Sequence, residues 1–408
     1  MNSDIQITFK ETEVGLIPQG WEVGCVKNVA IINEKAIGKN YPYTEIEYID
    51  VSSVDRGQIV DIQKLSLETA PSRAKRILKD NDIIISTVRP NLRHHAFIKK
   101  ACDNLIASTG YAVITPKKIN PNYLYYYLTT DEYTEYLSRI ADSHTSTYPA
   151  INPDVIEDSF IAIPPEQEQN KIAEILASLD GKIELNRQIN ANLEKLASAL
   201  FKHWFEDFEF PDKNGKPYRS SGGKMVDSEL EEIPEGWRVG RFSDLADVTS
   251  GKRPGEKAET KSQDFSIPLL GASSVMGYVK KYLYNEPILV TGRVGTHGII
   301  QRIDYPCWPS DNTLVIKTDY IGYTFQVMKS IDFLSLNRGS TQPLITQGDL
   351  NNIEVIIPVH SVLDKFKQII EPLMKMVGSN EIQSDRLGQT RDFLLPRLMS
   401  GKIRVNQQ

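Results

Sequence analysis

The chain has 408 residues, 40% of them hydrophobic and 25% charged, which is enough for two or three domains with cores of their own and excludes disorder as a whole-chain description. Its 47 Lys and Arg against 53 Asp and Glu leave a net charge of −6, which on its face argues against a nucleic-acid binder unless base is collected somewhere. The three cysteines, Cys25, Cys102 and Cys307, are far apart with no C-x-x-C pair, so neither a disulfide framework nor a zinc site is expected.

In chain order, the first landmark is I-P-x-G-W-x-V-G, read as Ile17 to Gly24, and it returns as Ile233 to Gly240. A segment rich in base follows. From Arg73 to Lys100 eight Lys or Arg (Arg73, Lys75, Arg76, Lys79, Arg89, Arg93, Lys99, Lys100) meet only Asp80 and Asp82. Within it the strand-like run Ile83-Ile84-Ile85 enters a loop-forming string from Ser86 to His95. Arginine there can offer a bidentate fork to guanine, and Asn or Gln can do the same for adenine. The tyrosines Tyr123, Tyr125, Tyr126 and Tyr127 could stack on bases, but the run continues into Tyr133, Tyr136 and Leu137 at helical spacing and fits core packing better.

Next comes S-T-x-P-x-I, Ser146 to Ile151, followed by the apolar run Ile161-Ala162-Ile163-Pro164; it recurs as Ser340 to Ile345, leading to Val355-Ile356-Ile357-Pro358. The first anchor recurs after 216 residues and the second after 194, so the second interior is 22 residues shorter. Two homologous domains with divergent interiors are expected.

A long helix is predicted after each second anchor. Pro164-Pro165 with Glu166 and Glu168 makes a good start for the first. Ile172, Ile175, Leu176, Leu179, Ile183, Ile189, Leu193, Leu196 and Leu200 then recur at three- and four-residue steps. In the second, Val362, Phe366, Ile369, Ile370, Leu373, Val377, Leu387 and Leu394 do the same, with Pro372, Gly378 and Gly388 as points of weakness or kinking. The 194-residue offset sets Asn186 over Asn380, where a polar side chain either fixes the register of paired helices or faces solvent. The expected seam is Leu179, Ile183, Asn186, Leu193, Leu373, Val377, Asn380 and Leu387. The simplest burial is helix against helix, antiparallel, and a helix over 166–204 would reach about 58 Å at 1.5 Å per residue.

Residues 206–232 read as a polar, glycine-rich connector with eight acids against four bases, so much of the negative charge is local. In the second interior, Pro287-Ile288-Leu289-Val290 enters Thr291-Gly292-Arg293-Val294-Gly295-Thr296-His297-Gly298, whose glycines permit close backbone approach to a polyanion. Lys252, Arg253, Lys257, Lys261, Lys280, Lys281, Arg293 and Arg302 exceed Glu256, Glu259, Asp264 and Glu286 by four. Any one such patch is commonly just a solvated face; a patch at matching places in both repeats points to a duplicated nucleic-acid surface. The expected architecture is α/β (α+β): a first globular domain over 1–164, a long helix over 165–205, the connector over 206–232, a second globular domain over 233–358 and a second helix over 359–408.

Catalytic signatures are missing. There is no N/D-P-P-Y/F methylation motif and no P-loop, the 292–298 glycines do not form a dinucleotide fingerprint, and the six histidines make no metal-binding pair. No basic-then-apolar leader and no membrane-length apolar run is present, so the cytoplasm is the expected location.

The I-P-x-G-W anchors, the S-T-x-P segments, the helix ending Leu193 to Phe205, the connector Tyr218 to Val226 and the terminal Leu394-Leu395-Pro396-Arg397-Leu398-Met399-Ser400-Gly401-Lys402-Ile403 together resemble the specificity subunit of type I restriction-modification systems. The resemblance implies two target recognition domains, each reading half of a bipartite double-stranded DNA sequence, with the paired helices setting the gap. It also implies partners: two adenine-methyltransferase subunits and ATP-driven restriction subunits, which would hold S-adenosylmethionine, ATP and magnesium, leaving this chain without catalytic residues, metal or cofactor. By position, the expected DNA contacts are Arg73, Lys75, Arg76, Thr87, Arg89, Asn91, Arg93, His94, Ser146 and Thr147 in the first domain. In the second they are Lys252, Arg253, Arg293, Thr296, His297, Ser340, Thr341 and Gln342. The rival readings are a DNA methyltransferase with its own recognition domain and a coiled-coil scaffold that does not bind DNA. With a net charge of −6, the chain alone is expected to bind DNA weakly and salt-sensitively, and tightly only when methyltransferase partners close around the duplex.

Overall fold

The computed structural model describes residues 8–144, 148–294, 298–336 and 344–405. The chain forms two compact α/β units, one from Met1–Glu184 with Ser384–Gln408 and the other from Leu185–Gln383. The division runs through both long helices, Glu166–Phe201 and His360–Met399, so each unit owns the first part of one and the last part of the other.

In the first unit the central antiparallel sheet has the order His95–Phe97, Ile83–Ser86, Tyr111–Pro116, Ala30–Ile32. Successive side chains of a strand point to opposite faces. Ile83 and Ile85 therefore join the core shared with the helices, while Ile84 joins a second core with Ile49, Leu105 and Val113. That second layer contains a parallel pair, Glu45–Ile49 with Leu105–Ser108. The tyrosines pack inward: Tyr123, Tyr125 and Tyr126 are buried, and the Tyr123 hydroxyl donates to the Ala162 carbonyl at 2.9 Å.

The second unit repeats this plan. Its central sheet runs Ile300–Ile303, Ile288–Gly292, Thr313–Lys317, Asp247–Ser250, the same succession. Leu289 faces the helical core and Ile288 and Val290 face the other, and a parallel pair, Ile267–Leu270 with Trp308–Pro309, recurs beside it. Each unit also joins its two sequence anchors directly: Glu22–Cys25 pairs with Phe160–Ile163, and Arg238–Arg241 pairs with Glu354–Ile357. The interiors diverge where the first unit inserts the helix Asp131–His144, for which the second has no counterpart among its described residues.

The second long helix is a single element through Pro372, Gly378 and Gly388, not broken at those residues. Leu179, Ile183, Leu193, Leu373, Val377 and Leu387 are half-buried, since a helix pair covers only one side of each member. Within the second unit Asn186 is fully buried and its amide donates to the Asn380 carbonyl at 3.3 Å and to Gln383 Oε1 at 2.9 Å. Asn190 donates to the Val377 carbonyl at 3.2 Å, and Asn380 Nδ2 donates to Asn190 Oδ1 at 2.8 Å, so these stretches run antiparallel.

The start of the connector is docked. Phe208 and Phe210 are buried, Phe210 stacks with Tyr218 (4.6 Å) and with Trp237 (5.0 Å), and the half-buried Glu209 between them accepts from the Ser220 N–H and hydroxyl at 3.1 Å.

Candidate nucleic-acid interface

The loop after Ile83–Ser86 is rigidly made. Pro90–Leu92 forms one turn of 3-10 helix, flanked by Arg89 (φ 46°) and Arg93 (φ 59°) in the left-handed region. Such a backbone costs a non-glycine residue roughly 1–2 kcal/mol, and surrounding bonds must hold it. Here Arg89 N–H donates to the Pro149 carbonyl at 2.8 Å, Ile151 N–H to the Thr87 carbonyl at 2.9 Å, and Val88 bridges Ala150. The loop is thereby zipped to the segment that follows Ser146 and Thr147, two expected contacts that lie outside the described residues.

The side chains divide sharply. Asn91 and Arg89 are exposed, and the Arg89 guanidinium lies over the Tyr148 ring at 5.0 Å from its centroid, an orienting cation–π contact. Thr87 is turned inward, buried, with its hydroxyl donating to the Gly110 carbonyl at 3.0 Å; it positions the loop instead of facing a ligand. Arg93 pairs with Asp131 at 2.5 Å, and a His94 ring nitrogen is bound to the Val54 carbonyl, so both serve the loop's own geometry. Arg73 is exposed but neutralised by Asp50 at 2.8 Å, Lys75 is exposed, and Arg76 is half-buried with an unpartnered Nε. Burial holds the Arg76 guanidinium below its ordinary value.

Behind the loop His95 meets Tyr125 Oη through Nδ1 at 3.3 Å. Burial first, then the charges of Arg93, Arg391, His94 and Arg56, push its imidazole down to about 4. A base with a lower folded than unfolded value stabilises the fold above its unfolded value of about 6.5, and that stability is lost as pH falls toward 4. Urea unfolding between pH 7 and 5 should show this loss, and His95→Gln should remove it; equal losses in both proteins would exclude His95 as the source.

In the second unit Lys252 and Arg253 are exposed at the end of Asp247–Ser250. They are fixed there by Gly251, where a Cβ would lie 2.1 Å from the Ser310 carbonyl oxygen, and by Trp308 Nε1, which donates to the Lys252 carbonyl at 2.6 Å. Arg293 is half-buried with an unpartnered Nε; its N–H donates to the Asn312 carbonyl at 2.9 Å and its carbonyl accepts from Ile345 at 3.0 Å. Those are the bonds Thr87 makes, and Val294 bridges Leu344 as Val88 bridges Ala150, so the structural counterpart of Arg293 is Thr87 and not Arg89. Thr296, His297, Ser340, Thr341 and Gln342 lie outside the described residues.

Two residues join the site that composition and charge clustering do not single out. Tyr148 lies inside the S-T-x-P motif, and Arg56 in the turn-forming Asp55-Arg56-Gly57, the local signal for each. Among the described residues no group of three or more His, Cys, Asp or Glu could hold a metal ion, and no helix is long and apolar enough to cross a membrane.

The sequence model of the type I restriction modification DNA specificity domain matches residues 18–195 and 234–387, one match over each repeat. The chain belongs to that family. Its role is accordingly DNA recognition in type I restriction-modification, and it is a non-catalytic subunit. It is similar to the HindI specificity subunit of Haemophilus influenzae (26% identity, 88% of this chain and 95% of the relative). It is also similar to the MjaIX specificity subunit of Methanocaldococcus jannaschii (26% identity, 98% and 97%). The fold is shared with the type I restriction-modification S subunit of M. genitalium, at 14% identity and a TM-score of 0.57 over 100% of this chain and 99% of that one.

Proposed function

We propose that this chain reads a split duplex DNA sequence, one half per repeat, through the loops that leave the buried strands Ile83–Ser86 and Ile288–Gly292. The observation that carries this reading is the repeated sheet, which offers a loop at the same end of the same strand in both units while differing in the residues exposed there. In the first unit this reading rests on the exposed Arg89 and Asn91; in the second, the exposed Lys252 and Arg253 after Asp247–Ser250 supplement the Ile288–Gly292 loop, in which Arg293 holds the position of Thr87. The half-sites therefore differ. Methyl transfer to adenine and ATP-dependent cleavage belong to methyltransferase and restriction subunits, which would hold S-adenosylmethionine, ATP and magnesium. The long helices set the gap between half-sites, with Asn186 and Asn380 fixing their register.

Co-expression with the cognate methyltransferase, followed by single-molecule mapping of N6-methyladenine, should reveal a split motif with a fixed gap. A continuous short site would overturn the two-reader reading. Seven residues added to each long helix add about 10 Å at 1.5 Å per residue, or about three base pairs at 3.4 Å each. The gap should lengthen accordingly while both half-sites stay the same.

A further inference from the structure

The turn between the short strands Val54–Asp55 and Gln58–Ile59 carries a third left-handed arginine, Arg56, at φ 41°. This hairpin is too small for a core of its own and is held against the reading loop instead. Arg56 N–H donates to the Arg93 carbonyl at 3.1 Å, Gly57 N–H donates to the His95 carbonyl at 2.8 Å, and the His94 ring is bound to the Val54 carbonyl. Gly57 is required there: its φ is +90°, and a Cβ would stand 2.7 Å from the Tyr125 hydroxyl. The backbone thus fixes where Arg56 leaves the surface, and its side chain is exposed and makes no ion pair among the described residues.

We infer that Arg56 grips a phosphate of the duplex beside the bases read by the Arg89 loop; this rests on the DNA-reading function proposed above. The two arginines differ in what orients them. Arg89 lies over Tyr148, which aims its planar fork as base reading requires, whereas no described side chain orients the Arg56 guanidinium, which leaves its fork free to turn onto a phosphate, a contact that carries no sequence information. Arg93, paired with Asp131, supplies the carbonyl that anchors the turn and is a positioning residue.

The test uses the full chain assembled with its methyltransferase partner, a duplex bearing the motif mapped for the wild type, and a scrambled duplex. Arg56→Gly removes the charge at a backbone angle that glycine prefers, so folding is spared. It should weaken both duplexes by the same factor, lower the slope of log affinity against log salt by about 0.9, and leave the mapped motif intact. Arg56→Lys should retain the slope. Arg89→Ala should instead weaken the motif duplex selectively. If Arg56→Gly changes neither affinity nor slope while Arg89→Ala weakens binding, the phosphate contact is wrong and the DNA-reading function stands. If Arg56→Gly relaxes the motif, the residue reads bases and the inference fails. If neither arginine matters, it is the reading function of this loop that fails.

Discussion

Arg404→Ala should destabilise the first unit by about 3–5 kcal/mol, the cost of leaving a buried carboxylate without its ion-pair partner. Glu168 has only 7% of its side chain exposed. It accepts from Arg404 Nε at 2.6 Å, from Arg404 Nη2 at 3.0 Å and from the Trp21 indole at 2.9 Å, a forked pair closed by a fully buried ring. Removing the guanidinium leaves one neutral donor for the whole charge. The second unit solves the same place without charge: the 194-residue offset sets Val362 against Glu168 and Phe210 against Arg404, and Phe210 stacks on Trp237, the counterpart of Trp21. Glu168→Val combined with Arg404→Phe should therefore recover much of what Arg404→Ala loses. Urea unfolding of the full chain, followed by Trp fluorescence, reads both. A loss below about 0.5 kcal/mol, typical of an exposed surface change, would mean that Glu168 is solvated.

The second large effect is expected at Arg391. Its Nη1 donates to Asp180 Oδ1 at 2.7 Å while the Tyr126 hydroxyl donates to Asp180 Oδ2 at 2.7 Å, joining both long helices to the first domain's tyrosine helix. Arg391 and Asp180 keep 31% and 27% side-chain exposure, so Arg391→Ala should cost about 2–3 kcal/mol, between an exposed pair and a fully buried one. The corresponding set in the second unit is Gln326, Met374 and Ala197, with Ser198 donating to Gln326 at 3.3 Å. Asp180→Met and Tyr126→Gln with Arg391→Ala import that set without leaving the Tyr126 hydroxyl unpaired and should be markedly more stable than Arg391→Ala alone, whereas equal stabilities of the single and triple variants would show that the lost charge pair is not the cause. Both ion networks sit in the first unit, so the repeat is symmetric in topology and asymmetric in what holds it.

Much of this was legible in one dimension. The paired anchors are close in space because Glu22–Cys25 and Phe160–Ile163 are neighbouring strands, and their recurrence marked the duplication before any contact was known. Helical spacing outlined both long helices, and the run of tyrosines identified itself as core. Equivalence of single loop positions was not legible there: only the bonds to the Asn312 carbonyl and from Ile345 N–H show that Arg293 occupies the place of Thr87. The aromatic alternation at Phe208 and Phe210 is outweighed in composition by the acids around it, so a segment whose start is docked on the core reads only as a polar, glycine-rich connector.

The sequence by itself determined the duplication, the long helices and the regions where base collects, since all of these are matters of order and spacing along the chain. Only the tertiary structure decided which charges are available to a ligand. Arg73, Arg93 and His94 are taken by Asp50, Asp131 and Val54, residues 23, 38 and 40 positions away, while the Arg89 guanidinium lies over Tyr148 and Arg56 is held by a hairpin against Arg93 and His95 of the same loop. A net charge of −6 is a sum over residues and is blind to this sorting; whether a cation is free depends on what folding places within about 4 Å of it.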